Sequence, residues 1–224
     1  MQDNKIHDLE GKDAVKQEWP KNLTKVIRNI VDAKEDAIIQ QCNCTSITAH
    51  GLAQTLADEF DTHPYKHRQP MKSIYNGRPL NRAIDEDCDT PGTYRILLSD
   101  PDDLGQSKSI VCLFGQWSPG KVGVPYQDRR KPDDAKDRQH YFITAFVAFL
   151  HEWCAADFAR PGTIKSLAIP WVVGSGMAGG NKNWYLECVV ALAKAHPHVK
   201  FVFYQLPKVK SVDEQDDDSS DSDD

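Results

Sequence analysis

Apolar positions along this chain fall into short runs separated by polar stretches rich in Pro, Gly, Asn and Asp. Residues 1–20 are polar and weakly patterned, punctuated by Gly11 and Pro20, and are expected to form a loosely ordered arm. Val26-Ile27 and Ile30-Val31 make a short strand candidate. The run Ala37-Ile38-Ile39-Gln40-Gln41-Cys42 is apolar until it closes in polar residues, the pattern of a strand buried on both faces. Leu52, Leu56 and Phe60 recur at helical spacing, which predicts a helix over 50–60 closed off by Pro64. Residues 61–92 read as an extended surface segment. Thr93-Tyr94-Arg95-Ile96-Leu97-Leu98 and Ser109-Ile110-Val111-Cys112-Leu113-Phe114 resemble two strands of a hairpin around an Asp-Pro-Asp-Asp turn.

Residues 115–137 form a long polar loop, of the length that in a compact domain is often functional. A helix is predicted from about Asp137 to Phe158, with Phe142, Phe146, Phe149, Leu150 and Trp153 on one stripe. Leu167-Ala168-Ile169 reads as a buried strand, residues 174–180 as a glycine-rich segment, the stretch from Trp184 to Ala193 as an amphipathic helix, and Val199 to Leu206 as a last strand. Strands alternating with helices predict an α/β, three-layer sandwich, a central mixed sheet flanked by helices. The expected division is a polar arm at 1–20, one domain at 21–207 and a disordered acidic tail at 208–224.

The charge balance sharpens that division. The 224 residues hold 27 Lys plus Arg against 33 Asp plus Glu. Eight of the acids (Asp213, Glu214, Asp216, Asp217, Asp218, Asp221, Asp223, Asp224) lie in the last twelve positions, so the body is near neutral at +2. Without a basic stripe beyond Arg129-Arg130-Lys131, nucleic acid is a disfavoured partner. No apolar run nears the roughly 20 residues that cross a bilayer, and the first residues lack a signal-peptide pattern. The expectation is therefore an intracellular protein, cytoplasmic or nuclear, monomeric and without a membrane partner. Six scattered cysteines with no C-x-x-C pair fit free thiols in a reducing compartment. Cys42 with Cys44, and His63 with His67, fall short of the four ligands a zinc site needs, so no metal and no cofactor is expected.

Two strand-to-helix junctions carry the candidate chemistry. The glycine-rich segment stands where an α/β fold cradles phosphate, or else forms a tight structural turn. The junction from Gln40 to Leu52 ends a buried strand in amides and thiols, where open α/β sheets bind ligands. Asn43 there reads as a ligand amide or as a turn-former bonding its own backbone. His50 reads as a general acid or base, or as an ordinary loop histidine.

Together the junctions resemble the macro domain family, which binds ADP-ribose. The residues are Asp36-Ala37-Ile38-Ile39-Gln40-Gln41-Cys42-Asn43, Gly51-Leu52-Ala53, and Ile169-Pro170 leading to Val173-Gly174-Ser175-Gly176-Met177-Ala178-Gly179-Gly180. Residues 174–177 look most like the branch with hydrolases of ADP-ribosylated carboxylates and ADP-ribose-1″-phosphate phosphatases. The resemblance implies a macro-like fold over about 24–206. Asn43 would take the distal-ribose amide role, Gly51, Leu52 and Ala53 would contact the phosphates, and Gly174, Ser175, Gly176, Met177 and Ala178 would form the second phosphate loop, with Cys42 and Val173 also among the ligand-binding residues. It also implies ADP-ribose or an ADP-ribosylated protein as partner. Hydrolysis would displace at the anomeric carbon through a water held by Asn43, with His50 assisting proton transfer; a non-catalytic reader is the alternative.

Arg28-Asn29 stands where the family commonly has Gly-Asp to read adenine, leaving Asn29 to accept from the adenine amino group. Ala53, Ala178 and Gly115-Gln116 stand where some branches place catalytic Asp and Lys, so covalent lysine catalysis is not expected. Trp117 and Tyr126 lie in the loop that would cover the ligand, with burial as Trp117's other reading. Tyr204 either stacks under adenine or packs against a helix.

Overall fold

The run beginning at Ala37 is the middle of the molecule. In the computed structural model, which describes residues 18–72, 74–75, 78–79, 81–101, 107–124, 130–155 and 163–207, it forms strand β2 (Ala37–Asn43), with Ala37, Ile38 and Ile39 fully buried. The other strands of the sheet are β1 (Leu23–Ile27), β5 (Tyr94–Leu98), β6 (Ser109–Gln116), β7 (Ser166–Pro170) and β8 (Lys200–Gln205), while β3 (Ile74–Tyr75) and β4 (Arg78–Pro79) pair apart from it. The six strands stand in the order β1-β8-β7-β2-β6-β5, all neighbours parallel except the antiparallel pair β5 and β6. The predicted mixed sheet and hairpin pairing are thus present.

Helix α1 (Leu52–Phe60) covers one face, where Leu56 packs with Ile38, Ile110, Ala168 and Val202. Helices α2 (Ala135–Trp153) and α3 (Lys182–Ala195) cover the other, where Phe142, Phe146, Phe149, Tyr185 and Val189 pack on Ile39, Val111, Ile169 and Phe203. Burial on both faces explains why the central strands read as continuous apolar runs. α2 begins at a capping box, the Asp134 side chain accepting from the Asp137 amide while Asp137 accepts from that of Asp134. Its stripe is buried as predicted except at Trp153, which is 38% exposed.

Three expectations change. Ile30–Asp32 is a 3-10 turn rather than strand, started by the Asn29 side chain accepting from the Val31 amide. α2 ends at Trp153, with the C-cap at Cys154. Residues 61–92 are not merely a surface segment, because Thr62, Tyr65, Arg68 and Ala83 are buried. Most of the expected arm, the tail at 208–224, Tyr126 and Phe158 lie outside the described residues. No helix among the described residues is long and apolar enough to cross a membrane, and no group of metal-ligating side chains gathers there. None of the six cysteines is in a disulfide.

Register creates an opening in the sheet. The Asp36 carboxylate accepts from the amides of Lys165 (2.8 Å) and Ser166 (2.9 Å), locking the starts of β2 and β7 together. Their pairing nevertheless spans only Ala37↔Leu167 and Ile38↔Ala168, whereas β2 follows β6 along its whole length. Past Ile38 the two strands part. From β2 the chain proceeds to β5 and β6 on one side, and from β7 to β8 on the other. That is a topological switch point, the place where open α/β sheets form a crevice at their carboxyl ends.

Just before β2, Glu35 is 5% exposed and accepts from the Tyr204 hydroxyl (2.7 Å) and the Lys200 ammonium (3.1 Å). Burial alone would raise this carboxyl, but the bonds from Tyr204 and Lys200 hold it below its ordinary value. A carboxylate depressed on folding stabilises the fold above its unfolded pKa, and that contribution is lost as pH falls through the folded value. Glu35→Gln is therefore expected to flatten the acid limb of thermal stability below about pH 4.5, the region where a free carboxyl titrates. Parallel melting curves for both proteins between neutral pH and about pH 3 check this; an unchanged acid limb would discount the Glu35 clamp.

Candidate functional site

Two loops frame the crevice. Loop A (residues 44–51) joins β2 to α1, and loop B (residues 171–181) joins β7 to α3. They meet: a Cβ built on Gly51 would lie 2.8 Å from the Met177 sulfur. Gly51 is the N-cap of α1 with φ +56°, a left-handed backbone that favours glycine. It supplies no side-chain cap, so the first turn of the helix leaves its amides unspent. Among the described residues, the N–H groups of His50, Gly51, Leu52, Ala53 and Gln54 meet no protein acceptor, and neither do those of Gly174, Met177 and Ala178 in loop B. An uncapped helix start beside a loop with unbonded amides is the kind of arrangement that can hold an anion.

The glycines of loop B serve different ends. Gly174 has φ +67°, and a Cβ there would fall 2.2 Å from the Tyr185 ring, so this glycine is demanded by packing. At Gly176 a Cβ would find nothing closer than 3.9 Å and φ is not left-handed, so the fold itself does not demand glycine. A bare backbone at that exposed position leaves room for a ligand to approach. Met177, beside it, is 64% exposed. Val173 is buried in the core, Ser175 donates to the Val172 carbonyl (3.1 Å), and the Ala178 carbonyl accepts from Arg138 (3.3 Å).

Asn43 is committed to loop A. Its Oδ1 accepts from the amides of Thr45 (3.1 Å) and Ser46 (2.7 Å), and its Nδ2 and backbone N–H both donate to the Tyr65 hydroxyl at 3.2 Å. The turn-forming reading of Asn43 therefore accounts for its carbonyl oxygen. Cys42 is 2% exposed, and burial, together with Cys112 beside it, pushes its thiol well up. His50 stands exposed at the rim, its Nε2 3.1 Å from the Thr48 hydroxyl and 3.5 Å from Asn81 Nδ2. Asn29 is exposed past the end of β1. Tyr204 is 7% exposed with its hydroxyl on Glu35, so its ring belongs to the core under α1. Trp117 is 5% exposed, which favours burial for that indole.

Side chains that the sequence does not advertise hold both loops. Arg68, buried, donates to the carbonyls of Ser46 (2.5 Å) and Asn43 (3.1 Å), pairs with Asp89, and lies over the Tyr65 ring at 4.3 Å. Asn81 Oδ1 accepts from the amides of Ile47 (2.9 Å) and Thr48 (3.1 Å). Asp133 and Arg138 form a buried pair; Asp133 also accepts from the amides of Trp117 (2.8 Å) and Ser118 (3.0 Å), and Arg138 also donates to Gly120 O (2.6 Å). A bulge at Gly115 shifts β6 against β2 between Cys42 and Asn43, so that the Cys44 amide reaches the Gln116 carbonyl. Spaced without period and bonded across 20 to 40 residues, Tyr65, Arg68, Asn81 and Asp89 leave no local signal. Asp133, which precedes the Asp134 cap of α2, leaves none either.

The switch-point crevice, the sheet order and the helices on both faces give this chain the macrodomain fold. The macrodomain of Mycobacterium tuberculosis DarG matches it with a TM-score of 0.53 and 15% identity, over 83% of this chain and 98% of that one. The alphavirus P23pro-zbd matches with a TM-score of 0.51 and 17% identity, over 88% of this chain and 23% of that one. At such identities the likeness is one of fold. No protein-family model matches the chain, and no curated protein matches it in sequence.

Proposed function

We propose that the crevice binds ADP-ribose or a derivative of it, with the diphosphate between the start of α1 and the exposed backbone of loop B. The observation that carries this reading is the set of unbonded amides around Gly51, Leu52 and Ala53 and around Met177 and Ala178, on two loops that touch at Gly51 and Met177, beside a Gly176 that packing does not require. Amides in fixed positions neutralise a diphosphate without lysine or arginine, which accords with a near-neutral body. The adenine would lie toward Asn29 and the distal ribose toward Asn43 and His50, Asn43 acting by shaping loop A.

Residues 43–53 and 171–181 contain no Asp, Glu, Lys or Arg, and His50 has Thr48 and Asn81 beside it rather than a carboxylate. That set favours a reader of ADP-ribosylated partners over a hydrolase. Calorimetric titration with ADP-ribose should give saturable binding that Gly176→Glu weakens at least about tenfold, a change of about 1.4 kcal/mol, because the new carboxylate occupies the anion's space. Absence of heat at millimolar ligand, or an unaltered Gly176→Glu, defeats the binding reading. Release of ADP-ribose from a modified protein by the wild type, abolished in His50→Ala, would replace the reader with a hydrolase.

A further inference from the structure

A second feature lies at the root of loop B. The Lys25 ammonium of β1 stands 3.8 Å from the centroid of the Trp171 ring, and that of Lys182, the first residue of α3, stands 4.8 Å from it. Trp19 packs beside this indole at 6.2 Å and Phe203 at 5.3 Å. Both tryptophans are half-buried, so the group is a platform with two cations gathered over one aromatic ring. It differs from the crevice, whose loops present amides and carry no lysine or arginine.

The end of β8 adjoins this platform. The Trp171 amide donates to the Tyr204 carbonyl (2.8 Å) and the Arg28 amide to the Gln205 carbonyl (2.9 Å), so the chain leaves β8 between loop B and a third basic residue. Eight positions beyond Gln205 begins the acidic segment, eight carboxylates within residues 213–224. A connection of that length spans up to about 28 Å, while the platform abuts the strand from which it departs. Such a tether holds the segment at an effective concentration of about millimolar, so weak ionic contacts suffice.

We propose that residues 213–224 dock, within the same molecule, on the Trp171 platform through Lys25 and Lys182. The segment covers the root of loop B while the amide crevice stays available to a diphosphate. Ser219, Ser220 and Ser222 stand among the acids, and phosphorylation of each would add about −1.5 to −2 charges and tighten the contact. The proposal does not depend on the ligand of the crevice.

Zero-length carbodiimide coupling on the full chain tests it. Peptide mapping should find Lys25 and Lys182 joined to carboxylates of residues 213–224, and a mixture of isotope-labelled and unlabelled protein should place those links within one chain. Their yield should fall several-fold in about 0.5 M salt, where the screening length is about 4 Å, and in Lys182→Gln the link that remains at Lys25 should fall likewise, the variant's unchanged melting curve guarding against misfolding. Links spread evenly over other lysines, or a yield indifferent to salt, would overturn the proposal. Links only between differently labelled chains would overturn it in favour of a second copy as the occupant.

Discussion

Asp133→Ala is expected to lower the free energy of unfolding by about 3–5 kcal/mol, the loss typical when one partner of a buried ion pair is removed. Asp133 is 5% exposed and Arg138 is 2% exposed. The carboxylate takes Arg138 Nε at 2.9 Å on one oxygen and a guanidinium terminal nitrogen at 2.6 Å on the other, a fork-to-fork contact. The same two oxygens accept from the backbone of Trp117 and Ser118. Alanine therefore strands a buried cation and two amides together, and each buried group left unsatisfied carries its own desolvation cost. Arg138 also bonds the carbonyls of Gly120 and Ala178, so the damage should spread to loop B. Urea denaturation of the single variant and of Asp133→Leu/Arg138→Met measures this. The double variant should recover much of the loss, since an apolar replacement of both partners strands no charge. A single-variant loss under about 1 kcal/mol would mean that water already serves the pair.

Most of this architecture is written in local patterns. The run at Ala37 predicts burial on both faces, and Leu52, Leu56 and Phe60 predict α1 because one buried stripe at period 3.6 suffices to fix it. The stripe of Phe142, Phe146, Phe149 and Leu150 predicts α2, whose start the structure sets at the Asp134 capping box, a little before the expected Asp137. Trp153 sits on the predicted stripe yet stands exposed, its indole Nε1 donating to the Tyr94 hydroxyl at 2.9 Å. At Trp153 the stripe meets the edge strand β5, where the ring borders solvent.

The candidate site is legible in the sequence only as an order of elements. A strand, a glycine-rich turn and a helix start can be read in order, and they lead to loops A and B. What each glycine does cannot, because Gly174 answers to the Tyr185 ring, eleven positions on and on another element, while Gly176 answers to nothing in the fold. Asn43 shows the same limit. Its residue type permits both a ligand contact and a turn, and only the placement of Thr45, Ser46 and Tyr65 decides where its oxygen and one of its amide protons go.

Arg68→Met is expected to unlock loop A, weakening ADP-ribose binding by about tenfold or more while costing about 2–3 kcal/mol of stability, the scale of charged hydrogen bonds lost in the interior. The Arg68 side chain is fully buried and satisfies two carbonyls of the turn that Asn43 closes. Asp89 keeps its second partner Arg95, so the variant leaves two carbonyl oxygens rather than a lone carboxylate without donors. This is why the loss should be smaller than at Asp133. Arg68→Lys tests geometry against charge: an ammonium keeps the cation but cannot reach Asn43 O, Ser46 O and Asp89 as a planar fork does, so it should rescue little. The telling readout is amide hydrogen exchange over residues 44–51, which should quicken in both variants while exchange in β2 and α2 holds. Unchanged loop A exchange and unchanged ligand affinity in Arg68→Met would make Arg68 a matter of packing alone. Faster exchange together with weaker binding would show that the proposed anion site at the start of α1 depends on an arginine buried behind loop A.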